Sequence, residues 1–360
     1  MARPRSDFRA WVAEQAVVPI DPERGPSWRL AVLPFIEGGA AVVLIVSHTI
    51  ADGGGAVVAV TEAAKGMTRD MGYPPPSSRT RFAAVLEDAR VLIRGLPDVG
   101  RSVLAALRLA RKDGTAVVKQ KPPAIPAQAG LDRQAMVPSV LIEVDAEHWD
   151  KRAGELGGSG PTLLLGLGAR CGKHLGWLGE DGMVNISVPI SERTPGDDRA
   201  NALTSVTFTI DPDEVMSDLS DARVKFKEAL LGLGESGNEL LGPLPLVPFV
   251  PQQAVRRLEG VVLRSKEVGC SYLGELDPAT NRPDGTDAVS TFFLPFEQGI
   301  TLRDIRRADG IFHPVISGRV NGRVWIAIGF SNAEYTTTRD GLAAVARSAL
   351  DDMGLSGTVE

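Results

Sequence analysis

Ser47-His48-Thr49-Ile50-Ala51-Asp52-Gly53-Gly54-Gly55 is the stretch whose reading decides the fold. It follows an apolar run, residues 40–46, that reads as a buried strand. A strand ending in His-x-x-x-Asp-Gly sets an imidazole at the edge of a core. The aspartate four residues on can lock the turn, and the glycines let another backbone or a ligand come close. The chain has only four histidines, so one placed here calls for a reason.

Outward from the motif, residues 26–34 read as a second strand. Glu37-Gly38-Gly39 turns it into residues 40–46, and the hairpin delivers His48. Residues 8–20 read as a short mixed segment and residues 56–67 as a helix. Residues 80–112 carry helical periodicity, broken at Gly95-Leu96-Pro97. A proline-rich stretch, 119–139, reads as a crossover linker, and the domain boundary is expected there: 1–135 and 136–360.

The second part opens with a strand at 139–144 and a helix at 146–156. Thr162 is read as the cap of a helix running to about residue 178. A buried strand follows at 183–190 and ends in Ser191-Glu192-Arg193. Asn201 lies in a polar loop before an alternating strand, 203–210. A helix is expected over 214–232, a packed or lipid-facing apolar loop over 240–252, and strands over 289–295 and 314–329. The last pair turns at Asn321-Gly322, a hairpin signal. A helix from Arg339 to Met353 closes the chain. Strands and helices alternate irregularly, with hairpins mixed in, so the fold class is α+β rather than a doubly wound sheet.

Composition narrows the function. With 43% hydrophobic and 23% charged residues over 360 positions, the chain can build a sizeable core of two subdomains. The net charge of −6 comes without a basic stripe, so nucleic acid is not an expected partner. Two cysteines far apart in sequence give neither a disulfide framework nor a zinc motif, and no metal is expected. No apolar leader or membrane span is read, so the expected location is the cytoplasm, with peripheral contact to a lipid surface left open.

Competing motifs fail on context. No Gly-x-Ser-x-Gly elbow is present. Gly232-Leu233-Gly234-Glu235-Ser236-Gly237 fits G-x-G-x-x-G but follows a helix rather than a strand. Asn185-Ile186-Ser187 is a sequon inside a buried strand. His148 and His174 read as helix-surface residues, and His313 opens a strand. His48 therefore stands as the candidate general base. A neutral imidazole can take a proton from a hydroxyl or amine attacking a carbonyl, worth roughly 10²–10⁴-fold in rate. Asp52 could orient the ring or turn away to pair with an arginine. The second is favoured, with Arg193 as the candidate partner.

These residues resemble the His-His-x-x-x-Asp-Gly motif of the CoA-dependent acyltransferase superfamily. That group holds chloramphenicol acetyltransferase, the condensation domains of peptide synthetases, and wax ester synthase/diacylglycerol acyltransferases. Pro19-Ile20-Asp21 with Pro26-Ser27-Trp28, Val188-Pro189-Ile190-Ser191-Glu192-Arg193 with Asn201, and Cys270-Ser271-Tyr272-Leu273-Gly274 are similar to segments of the wax ester synthase branch. The resemblance spans most of the chain, and only the histidine motif is specific.

It implies two chloramphenicol acetyltransferase-like α/β subdomains with mixed sheets around a central channel. His48 would be general base and Asp52 structural. Gly53, Gly54, Asn201 and Ser271 would serve substrate or oxyanion. Acyl-CoA would be a substrate rather than a cofactor, and an alcohol or amine the acceptor. The main reading is acyl transfer from acyl-CoA to an alcohol. Two alternatives stand beside it: a condensation-type enzyme using acyl carrier protein thioesters, and an inactive remnant that binds acyl chains. Four departures bear on it. Ser47 replaces the first histidine, Tyr272 replaces an asparagine, Glu192 puts a charge before Arg193, and the lead before His48 is short. The opening strand and helix of the first subdomain are accordingly expected to be missing.

Overall fold

The structure, a computed structural model, describes residues 1–72, 75, 78–112, 130–194, 196–236, 266–334 and 336–360. The apolar loop expected over 240–252 and most of the linker expected over 119–139 lie outside them. The chain divides into two compact units. One comprises Met1–Thr68, Ile125–Lys227 and Lys266–Glu360; the other comprises Arg69–Ala124 and Glu228–Ser265.

In the second unit the main described element is one long helix, α3 (Arg81–Lys112), which runs through Pro97. The break expected at Gly95-Leu96-Pro97 is therefore absent. Proline removes one backbone hydrogen bond and crowds one carbonyl, and this 32-residue helix absorbs that loss. Phe82, Val85 and Ile93 on it are exposed.

The first unit begins with helix α1 (Phe8–Ala16), where a mixed segment was expected. Trp11 is its one buried residue. Strands β1 (Trp28–Pro34) and β2 (Ala40–Val46) pair antiparallel, with Trp28 opposite Val46 and Leu30 opposite Leu44. Helix α1 contacts β2. The face carrying Trp28, Leu30, Val32, Val42 and Leu44 is exposed. The apolar run of β2 is thus only half covered among the described residues, not buried as its composition suggested.

Helix α2 (Gly53–Ala64) starts three residues earlier than expected, because Asp52 caps it and draws all three glycines into its first turn. Strand β3 (Ser139–Asp145), α4 (Ala146–Glu155), α5 (Gly160–His174), β4 (Val184–Ser191) and β5 (Leu203–Ile210) follow. Thr162 is not the cap of α5. Ser159 is, and Thr162 sits three positions on, its hydroxyl accepting from the Ser159 N–H. A 3₁₀ turn, Glu214–Met216, separates β5 from a helix at Ser220–Ser236, where one continuous helix was expected.

Strand β6 (Glu267–Glu275) escaped the sequence reading. The strand expected at 289–295 is absent; those residues have no regular structure. A short helix, Leu302–Arg307, precedes β7 (Ile311–Val320) and β8 (Arg323–Ser331), which turn at Asn321 (φ 50°) and Gly322 (φ 72°). Positive φ at both central residues is the two-residue hairpin turn that Asn-Gly favours. A helix, Arg339–Asp352, and strand β9 (Gly357–Val359) complete the unit.

Seven strands form one mixed sheet in the order β5-β4-β6-β7-β8-β3-β9. β6 runs parallel to both β4 and β7, and the other pairs are antiparallel. The fold class is α+β. Helix α5 packs on this sheet at β4, β6 and β7. Contact is so close at Gly168 that a Cβ there would stand 2.7 Å from Cys270 Sγ. Both atoms are buried, so neither can move cheaply. Gly168→Ala is expected to cost about 1–3 kcal/mol by overpacking, read as a lower denaturation midpoint with an unchanged slope; wild-type stability would show that the helix can shift instead.

Alternation along β6 sorts its side chains. Cys270 and Tyr272 face the α5 side, since Cys270 meets Gly168 and the Tyr272 hydroxyl lies near Gly160. Ser271 and Leu273 face the other way, where Leu273, Ile316, Trp325, Phe292 and Phe293 pack with Val57 of α2. The residues read as a strand at 289–295 thus pack two aromatic rings against the Leu276–Val320–Trp325 cluster instead of pairing with the sheet. Phe293 lies 5.6 Å from the Trp325 ring.

Candidate active site

His48 is exposed, in the turn that follows β2. The turn is pinned locally. Ser47 Oγ and Thr49 Oγ1 share a hydrogen bond of 2.8 Å, and the Thr49 N–H donates to Ser47 Oγ at 3.3 Å. Ser47 therefore orders the loop through a side-chain turn of the kind serine favours. The ring of His48 has no hydrogen-bond partner among the described residues, whereas its carbonyl accepts from Asn201 Nδ2 at 2.8 Å.

Asp52 turns away from the imidazole and is 5% exposed. Oδ1 accepts from the Gly55 N–H at 2.7 Å, and Oδ2 accepts from Arg193 Nη2 at 2.9 Å and from the Ala202 N–H at 2.8 Å. Its own N–H donates to the Ala200 carbonyl at 2.9 Å. Arg193, just past the end of β4, also donates to the carbonyls of Asp197 and Arg199. Burial pushes the Asp52 carboxyl up. The Ala202 and Gly55 N–H groups and the Arg193 guanidinium outweigh it and hold the carboxyl below its usual range.

The glycines complete the arrangement. A Cβ on Gly55 would sit 3.4 Å from both Arg193 Nη2 and Asp52 Oδ1, and one on Gly53 would sit 3.1 Å from Leu273 Cδ2. The N–H groups of Gly53 and Gly54 carry no hydrogen bond among the described residues. They lie in the first turn of a 12-residue helix, whose positive end favours a developing negative charge. Ser271 is half-buried on β6, on the face of Leu273, and no hydrogen bond joins it to His48.

The structure thus brings His48, Asp52, Arg193 and Asn201 together, and sets Gly53 beside β6. Sequence reasoning missed the Ala202 N–H, a backbone group with no residue signature, and the Ser47–Thr49 pair. Tyr272, a departure from the resembled pattern, is carried on the opposite face of β6 from Ser271. Burial raises its phenol above the ordinary value.

Comparison with solved structures defines the class of architecture: the chain has the fold of peptide-synthetase condensation domains. The first condensation domain of the CDA synthetase aligns at a TM-score of 0.50 and 13% identity over 98% of this chain and 72% of that one. The first condensation domain of the calcium-dependent antibiotic synthetase, in complex with substrate analogue 2a, aligns at 0.51 and 13% over 97% and 73%. An epimerization domain from tyrocidine synthetase B aligns at 0.48 and 15% over 98% and 78%. No protein-family profile matches the chain, and a search of the curated proteins finds none that does. Among the described residues no helix is long and apolar enough to cross a membrane.

Proposed function

We propose that this protein transfers an acyl group from a thioester to a hydroxyl or amine, with His48 as general base. The observation that carries the proposal is an exposed, unpartnered imidazole on a turn whose backbone is fixed by Asn201 and by the Asp52–Arg193 pair. The acceptor would lose its proton to His48 as it attacks the thioester carbonyl. The carbonyl oxygen would gain negative charge facing the Gly53 and Gly54 N–H groups. The carbon–sulfur bond would then break, and the leaving thiolate would take the proton back from His48. Asp52 has a structural part in this scheme, since its lone pairs are spent on Gly55, Arg193 and Ala202. Asn201 would serve the turn rather than the oxyanion, and Ser271 would line the approach to the site.

For the donor, the condensation-domain fold supports a carrier-protein thioester over the acyl-CoA that the wax ester synthase resemblance suggested. A fold hosts many activities, so the donor has to be measured. Residues 1–135 would form the subdomain that supplies His48, and 136–360 the one that supplies Arg193 and Asn201. Acyl-CoA and acyl-carrier-protein donors of matched chain length are to be compared for acceptor-dependent thiol release. Release from the carrier-borne donor in excess of the CoA ester is expected. The reverse order would return the protein to the acyl-CoA reading, and release from neither would remove the enzymatic one.

A further inference from the structure

Gln298 lies in the loop between the Phe292–Phe293 segment and β7, and its side chain makes three hydrogen bonds to one short stretch of backbone. Nε2 donates to the Ala16 carbonyl at 2.7 Å and to the Val18 carbonyl at 2.8 Å, and Oε1 accepts from the Ile20 N–H at 3.2 Å. A single amide thereby closes the end of α1, where helix carbonyls run out of partners, across 278 residues of sequence or more.

The neighbouring side chain anchors the bracket from the other side. Glu297 binds Nε2 of His313, and His313 is 2% exposed on β7. Its Nδ1 has no partner and faces Gly329, where a Cβ would stand 2.6 Å away. Glu297 thus grips the large sheet while Gln298 grips the N-terminal arm. That arm carries α1, which contacts β2, and β2 ends two residues before His48.

From this geometry we infer that Gln298 is a positioning residue: by holding residues 16–20 it fixes α1 and the hairpin, and through them the place of the His48 ring. Its consequence for catalysis rests on the acyl-transfer reading; its consequence for the position of the ring does not. Asp52 and Asn201 hold the motif end of the hairpin. The start of α1 lies at the hairpin's turn, where Phe8 meets Phe35, and Gln298 holds the other end of the helix. A helix released at that end lets the hairpin and its His48 shift, and small misplacements of a catalytic group are costly.

The test uses the full chain and three variants chosen by donor pattern. Gln298→Lys keeps donors for both carbonyls and loses the acceptor. Gln298→Ala loses all three bonds. Gln298→Glu keeps the acceptor and sets a carboxylate against two carbonyl oxygens. Amide exchange over residues 8–27 should rise in the order wild type, Lys, Ala, Glu, with 139–145 and 323–331 staying protected. Ring resonances of His48, assigned through a His48→Gln variant, should move in the same order while those of His148 and His174 stay. In turnover, kcat should fall on the order of ten- to a hundredfold in the Ala and Glu variants with KM for the donor unchanged. Unaltered exchange over 8–27 would overturn the bracket. Raised exchange with a stationary His48 signal would reduce Gln298 to a peg for the arm and overturn the positioning role. If the wild type turns over no thioester, the acyl-transfer reading falls, and the exchange and ring signals still decide this inference.

Discussion

His48→Ala is expected to lower acceptor-dependent thioester turnover by roughly 10²–10⁴-fold, the usual worth of a general base. Stability should stay within about 0.5 kcal/mol of wild type, because the side chain is exposed and its ring holds nothing in place. That combination is diagnostic. The bond from Asn201 goes to the His48 backbone carbonyl, which alanine retains, so the turn keeps its shape. Matched denaturation curves beside a collapsed kcat would assign the loss to the imidazole. Undiminished turnover would end the role proposed for His48.

Asp52→Ala should act in the opposite way, on the fold before the chemistry. The substitution removes the cap of α2, leaves the Ala202 N–H without its acceptor, and strands Arg193, whose side chain is 14% exposed. Breaking one side of a buried ion pair costs about 3–5 kcal/mol. Arg193→Ala should cost nearly as much, and the double variant well short of the sum, since both lose the same contacts. Additive losses in a denaturant titration would show that the two residues act independently.

The same pair gives a pH dependence with a fixed sign. The folded carboxyl of Asp52 titrates below its ordinary value of 3.8. Its contribution is therefore complete above that value and is lost as pH falls through the lower, folded one. Asp352 behaves alike: burial raises its carboxyl, and Arg170 and His174 together bring it below the ordinary value. Stability should be level in these two groups from neutral pH down to about 4 and drop below it. Asp52→Asn should flatten part of that drop.

How much of this was legible in the sequence follows from which interactions are local. The hairpin ending at His48 was readable, because an apolar run, a Gly-Gly turn and a second apolar run are signals within 20 residues. So was the Asn321-Gly322 turn, where the residue types match the backbone they must adopt. Strand β6 was not. Gly269 and Gly274 weaken its strand pattern, and the reason for Gly269 is tertiary: a Cβ there would press on Pro314, 3.1 Å away. The Phe292–Phe293 segment erred the other way, since its apolar residues pack on the buried Leu276–Val320–Trp325 cluster and pair with no strand. At the site, residue types pointed to His48, Asp52, Arg193 and Asn201, while the Ala202 N–H that also holds Asp52 is a backbone group with no mark of its own.

The Asp52–Arg193 bond joins positions 141 residues apart. At roughly 5–20 residues per second of synthesis, the motif leaves the ribosome about seven to thirty seconds before its clamp. During that interval the first turn of α2 has its cap but neither the Arg193 guanidinium nor the Ala202 N–H that complete it. Biosynthesis therefore imposes a waiting period on the very segment that carries His48. Yield in cells should respond to translation speed between codons 52 and 193 more sharply than to the same change placed after codon 202.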